Sequence, residues 1–187
     1  MDKANVAIFL SGQGTNFESL AQACESGELH ANVSVVFSNQ TNAPGLVRAS
    51  QRNIPTICIP HFSPRSAFEQ KILDALGPYP VDWIVLCGYM RILSSHFLSQ
   101  YPSRVINIHP SLLPAYPGIG AIKRAFEAKE KRIGVTVHYV DAGVDTGEVI
   151  MQETIEVLPS DTLQSVEEKV HKLEHRVYKK AIASLLG

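Results

Sequence analysis

Few cysteines and no long apolar run mark this chain, and each shortage closes off a class of protein. Cys24, Cys58 and Cys87 are odd in number and far apart, with no Cys-x-x-Cys pair. That argues against a disulfide framework and against metal ligation by the cysteines. Cys58 and Cys87 fall in strand-like runs and Cys24 on an apolar helix face, so all three read as buried small hydrophobes. The longest apolar runs, such as Trp83 to Cys87, have the length of a strand and fall far short of a bilayer span. Neither sign of charge dominates: 17 Lys and Arg face 18 Asp and Glu, for a formal net charge of −1. With no run of one sign, a nucleic-acid face or a polybasic membrane patch is not expected. Met1-Asp2-Lys3-Ala4-Asn5 leads straight into a strand pattern without the layout of a secretory signal. The chain reads as cytoplasmic. What it does have is a 45% hydrophobic composition over 187 residues, enough for a single domain over 1–187 with a sizeable core.

Strand and helix patterns alternate through most of the length. Val6 to Leu10 is a short apolar strand, and Phe17, Leu20, Ala21 and Cys24 then recur at helical spacing up to a stop at Gly27. Val33 to Phe37 is a second strand. Asn42 as cap and Pro44 near the start open a helix toward Arg52. Ile54 to Ile59 is a third strand, placed at an edge or a strand start by Pro55. Ser63-Pro64 begins a helix carrying Phe68, Ile72, Leu73 and Leu76, closed by Gly77. Trp83 to Cys87, a turn at Gly88, a short helix from Ser94 to Gln100 and a strand from Val105 follow. Past a Pro- and Gly-rich loop, Ala121 to Lys129 reads as a helix. Ile133 to Val140 and Glu148 to Val157 then form two strands whose short connection favours antiparallel pairing. Leu163, Val166, Val170, Leu173 and Val177 make the apolar stripe of a long last helix, with Asp161 and Gln164 resembling a capping box. The expected fold is α/β, with a mostly parallel central sheet, antiparallel C-terminal strands and a long C-terminal helix.

Chemistry concentrates at Asn107-Ile108-His109-Pro110-Ser111-Leu112-Leu113-Pro114. Period-two alternation aims Asn107 and His109 to one face, and Pro110 ends the strand just beyond them. An amide and an imidazole side by side at a strand terminus can polarise a carbonyl and stabilise the oxyanion it becomes. The alternative is a hydrogen-bonded pair tying down the loop that follows. Ser11-Gly12-Gln13-Gly14-Thr15-Asn16 joins a strand to a helix, an arrangement that suits an anion on backbone N–H groups with Thr15 and Asn16 beside it. A dinucleotide fingerprint is incomplete here. Its third glycine is missing, and the second strand ends in Ser38-Asn39 with no acidic ribose ligand. In Asp141 to Gly147, Asp141 reads as a turn cap, and Asp145 is the carboxylate candidate if that loop returns to His109. Glu174 flanks the apolar stripe of the last helix, where it is either a solvated charge or a ligand for sugar hydroxyls. His30, His61, His96 and His175 fit no metal spacing and read as surface or structural.

Taken together, these stretches resemble the phosphoribosylglycinamide formyltransferases, folate-dependent enzymes of purine synthesis within the formyltransferase superfamily. The resemblance rests on Ser11 to Asn16, Val36 to Asn39, Gly88 to Leu93, Ile106 to Gly118 and Gly134 to Gly147. It implies a Rossmann-like formyltransferase fold and transfer of the formyl group of 10-formyltetrahydrofolate to the amine of glycinamide ribonucleotide. It makes Asn107, His109 and Asp145 catalytic, puts the substrate phosphate on Gly14, Thr15 and Asn16, and puts the ribose on Glu174. It assigns the folate to Arg65, Met90, Arg91, Ile92, Leu93, Asn107, Val140, Asp141 and Asp145. It implies small-molecule substrates, no metal, no nucleic acid, no membrane, and a monomer or homodimer.

One position departs from the pattern. Gly120 stands where these enzymes usually place a histidine that supports the aspartate, which implies weaker or differently pH-tuned activity and a more permissive loop from Ser111 to Lys131. Which of His171, Lys172 or Arg65 supplements the phosphate site stays open. The competing readings are a formyltetrahydrofolate hydrolase or a tRNA formyltransferase of the same superfamily, and a nucleotide-binding sensor without catalysis. The first two normally carry a further domain, for which 187 residues leave no room.

Overall fold

The computed structural model describes residues 3–187. Met1 and Asp2, where the stretch read as leaderless begins, lie outside it. The elements in chain order are β1 (Ala4–Leu10), α1 (Thr15–Ser26), β2 (Ala31–Ser38), α2 (Pro44–Gln51), β3 (Thr56–Cys58), α3 (Arg65–Leu76), β4 (Trp83–Leu86), α4 (Ser95–Ser99), β5 (Val105–His109), α5 (Ala121–Glu127), β6 (Arg132–Tyr139), β7 (Val149–Glu156) and α6 (Leu163–Leu186). The described strands form one sheet in the order β3-β2-β1-β4-β5-β6-β7. The first five pair in parallel, while β6 pairs antiparallel with both β5 and β7. This is the expected architecture, a doubly wound, Rossmann-like α/β sheet with two antiparallel strands added at one edge.

Helices cover both faces, which is why the inner strands read as continuous apolar runs. On one face Val6, Ile8, Val85, Ile106 and Ile108 pack with α1, α2, α5 and α6. On the other, Ala7, Phe9, Ile84, Leu86 and Val105 pack with α3 and α4 around Phe68, Ile72 and Phe97. After β1 the chain turns one way to β2 and β3, then crosses back to place β4 on the other side of β1. That reversal leaves a crevice beyond the carboxyl ends of β1 and β4, where doubly wound sheets bind ligands. Ser11 N donates to Gly88 O at 3.2 Å and Met90 N to Ser11 Oγ at 2.9 Å, stitching the two loops across it.

Three local expectations are corrected. Helix α2 starts on Ala43, not Asn42, and makes no side-chain cap, because Pro44 presets the first helical φ and forces the residue before it to be extended. The capping box of α6 is Thr162 with Ser165. Asp161 is otherwise committed, accepting from Lys169 Nζ, Leu158 N and Ser165 Oγ. Cys87 is buried and Cys24 half-buried, but Cys58 is exposed, since it ends a three-residue edge strand with sheet on one side only.

Candidate active site

Two elements begin the site. β5 ends in Asn107 and His109, whose shared face is that of Val105. The loop after β6 returns over this end and brings Asp145 to it. His109 Nδ1 lies 3.3 Å from Asp145 Oδ2 and His109 Nε2 lies 2.8 Å from Tyr116 O. A carbonyl only accepts, so Nε2 carries a proton, and the carboxylate on the other side favours a second proton on Nδ1. The ring, 6% exposed, is thus fixed between a carbonyl and a carboxylate. Its Nδ1 contact is longer than the 2.7–2.9 Å or so typical of charge-assisted hydrogen bonds.

Asp145 is held from three sides. Gly118 N donates to Oδ2 at 2.8 Å, and His138 Nε2 stands 3.6 Å from Oδ1. Burial raises its pKa, but the His138 ring, the Gly118 N–H and the His109 charge outweigh it and hold the carboxyl below the ordinary value. The backbone at Asp145 is left-handed, with φ 54°. Asp tolerates that region better than most residues, and such departures gather at functional sites. Asp141 caps the same loop as expected, its Oδ1 accepting from Gly143 N at 3.0 Å and Thr146 Oγ1 at 2.7 Å.

These groups open on a cavity of about 500 Å³, an ordinary size for a small-molecule site. From the α1 and α6 side of the sheet come Asn16 and Glu174; from the loops beyond β4 and β6 come Met90, Arg91, Ile92, Leu93, Val140 and Asp141. Leu93 and Val140 belong to the core on the opposite face, so the two groups flank β5 with Asn107 and His109 between them. Met90 and Ile92 are exposed large hydrophobics. They leave an apolar wall facing solvent where a flat ring can lie. Glu174 is 7% exposed, not a solvated flank. Burial pushes its carboxyl up to about 7, with the Asn16 side chain pulling the other way. Asn16 Oδ1 is itself buried without a partner, which leaves an acceptor for a ligand donor.

Not every expected residue reaches the cavity. Gly14 is the buried N-cap of α1, with φ 72°, and Thr15 is exposed at the helix start. Arg65 lies outside the lining, exposed and 3.4 Å from Glu69 Oε1. His171 and Lys172 are exposed on α6 and also outside the lining. Gly120 lines the cavity as the N-cap of α5, φ 70°, with open space where a side chain would start. His138 was not singled out by the sequence, yet it is 2% exposed and lines the cavity. Its only signal is the strand register, which puts it directly across from Asn107. Among the described residues no cluster of three or more His, Cys, Asp or Glu is suited to a metal, and no helix is long and apolar enough to cross a membrane.

Comparison with known proteins places the chain in a family. Residues 4–182 match the family model described as formyl transferase. A phosphoribosylglycinamide formyltransferase of Bacillus subtilis (strain 168) is 42% identical over 97% of this chain and 94% of its own length. The trifunctional purine biosynthetic protein adenosine-3 of Drosophila melanogaster is also 42% identical over 99% of this chain, which spans 14% of that longer protein. In three dimensions, glycinamide ribonucleotide transformylase 1 from Geobacillus kaustophilus superposes with a TM-score of 0.94 at 40% identity, covering 99% of this chain and 100% of that one. A match over nearly the whole length, with the site residues inside it, shows that the chain belongs to the formyl transferase family and is a transferase.

Proposed function

We propose that this enzyme moves the formyl group of 10-formyltetrahydrofolate to the primary amine of glycinamide ribonucleotide. The observation that carries the reading is the meeting of Asn107, His109 and Asp145 at one wall of the cavity, with Asp145 Oδ2 at 3.3 Å from His109 Nδ1. The nucleotide phosphate sits at the start of α1, on Gly14, Thr15 and Asn16, where first-turn N–H groups and the helix dipole favour an anion. Its ribose hydroxyls donate to Glu174. The pteridine lies along Met90 to Leu93 and Val140 to Asp141. This arrangement leaves the amine and the formyl carbon facing each other at Asn107, and such positioning supplies a large share of the acceleration.

The neutral amine attacks the formyl carbon, a C–N bond forms, and the carbonyl electron pair moves onto oxygen. An Asn107 N–H and the His109 cation stabilise that oxyanion. Asp145 takes the proton shed by the amine, through a water, and keeps His109 charged. Collapse of the intermediate restores the carbonyl and breaks the bond to N10 of the folate, which picks up a proton as it leaves. No covalent enzyme intermediate and no metal enter the scheme.

The test is formyl transfer followed with and without the ribonucleotide, in wild type and Asp145→Asn. Wild type should consume the folate only when the amine is present. The variant should fold normally and lose about 10²-fold or more in kcat, as expected for a lost proton acceptor. Amine-independent consumption would favour a hydrolase, binding without turnover a sensor, and full turnover by Asp145→Asn would overturn the proton role.

A further inference from the structure

We infer that His138 is a positioning residue that fixes the amide of Asn107, so that its N–H faces the reacting carbonyl. This rests on the proposed role of Asn107 as the oxyanion donor. His138 Nδ1 lies 2.8 Å from Tyr139 O. Because that oxygen can only accept, Nδ1 carries the proton. In the neutral ring Nε2 is then a bare acceptor. Two groups stand near it: Asn107 Nδ2 at 3.3 Å and Asp145 Oδ1 at 3.6 Å. Asn107 Nδ2 is the nearer and the only donor of the two, while Asp145 Oδ1 meets the ring edge at longer range. His138 therefore selects the rotamer of Asn107 with nitrogen turned to the ring. One amide proton goes to Nε2 and the other remains for the cavity that Asn107 lines. The flipped amide would set its oxygen against the Nε2 lone pair and leave an acceptor where the reaction needs a donor.

The fold reinforces this choice. Asn107 and His138 are directly paired in the antiparallel β5–β6 register, and His138 is 2% exposed. Asp145 already has the Gly118 N–H and the His109 ring as partners. A proton placed on Nε2 would turn it into a donor toward Asp145 Oδ1 and force the Asn107 amide to flip. A ring with its proton on Nδ1 and a correctly turned Asn107 are thus one state.

A double-mutant cycle tests this, with kcat and KM measured for Asn107→Ala, His138→Leu, His138→Gln and the combination of Asn107→Ala with His138→Leu. Asn107→Ala should lose about 10²-fold in kcat, as oxyanion donors do. His138→Leu should lose about tenfold in kcat, within the range of coupled neighbours, with KM for both substrates little changed. The Gln side chain supplies an amide oxygen as acceptor and should recover part of that loss. In the Asn107→Ala background His138→Leu should cost well under tenfold, the remainder coming from its contact with Asp145. A tenfold cost that persists there shows that His138 does not act through Asn107 and overturns the inference. Near-normal kcat for Asn107→Ala instead overturns the oxyanion role itself. Thermal melts of each variant separate either result from misfolding, and the Gln variant carries the test if the Leu variant is unstable.

Discussion

A carboxyl group buried on the apolar side of a helix destabilises the fold when it ionises, and Glu174 is in that position. Desolvation raises its pKa to about 7 against an ordinary 4.5, and the Asn16 hydrogen bond offsets only part of that rise. The folded state therefore holds the proton more tightly than the unfolded chain. Glu174 leaves stability intact below about pH 4.5 and lowers it progressively as pH rises toward 7. At about 1.4 kcal/mol per pH unit over that window, the loss is of order 3 kcal/mol. Glu174→Gln should flatten this slope, so that its denaturant midpoint exceeds that of wild type at pH 8 and matches it near pH 4.5. The same change should raise KM for the ribonucleotide, because an amide accepts fewer hydroxyl donors than a carboxylate. Equal midpoints at pH 8 would show that the site has no such tension.

At the level of elements, the turn between β6 and β7 decides where Asp145 stands. A Cβ on Gly147 would meet Tyr139 O at 1.7 Å and Tyr139 C at 2.8 Å, and backbone cannot yield as a side-chain tip can. Gly147→Ala must therefore push the turn off β6. The expected result is a stability loss of about 1–3 kcal/mol, as for other overpacked sites, with a larger proportional loss in kcat. Urea unfolding beside steady-state rates checks it, and unchanged kcat would mean that Asp145 does not depend on the turn. The sequence made this turn and Asp145 legible through its glycines and carboxylates. The alternation of Asn107 and His109 was equally legible, because period two is a property of any strand. His138 was not, since a histidine inside an apolar strand carries no local signal. Its role depends on register with a residue 31 positions earlier. Capping failed by one residue for a related reason: Asp161 and Asn42 are good caps in isolation, but Lys169 claims the first and Pro44 overrides the second.

Across the whole molecule the sheet holds two half-sites apart and joins them at β5. The loop proposed for the phosphate belongs to β1 and α1, on the face that α6 covers, whereas the Met90 to Leu93 segment leaves β4 toward the other core. A lesion in one half should then spare the other. Gly14 offers the cleanest lesion. Its φ is +72°, and a Cβ there would come within 2.9 Å of Gly45 Cα. Gly14→Ala thus strains the loop and presses it against the start of α2, pulling its N–H groups out of register with a phosphate. Each ligand alone should stabilise wild type by about 2.7 kcal/mol at a hundredfold excess over its Kd, and the two shifts should add if the half-sites are independent. In Gly14→Ala the shift from the ribonucleotide should vanish and the shift from a folate analogue should survive at nearly full size. Differential scanning calorimetry with each ligand reads both. Loss of both shifts would mean that the halves fold and bind as one unit, and retention of both would remove the phosphate from the α1 N-terminus.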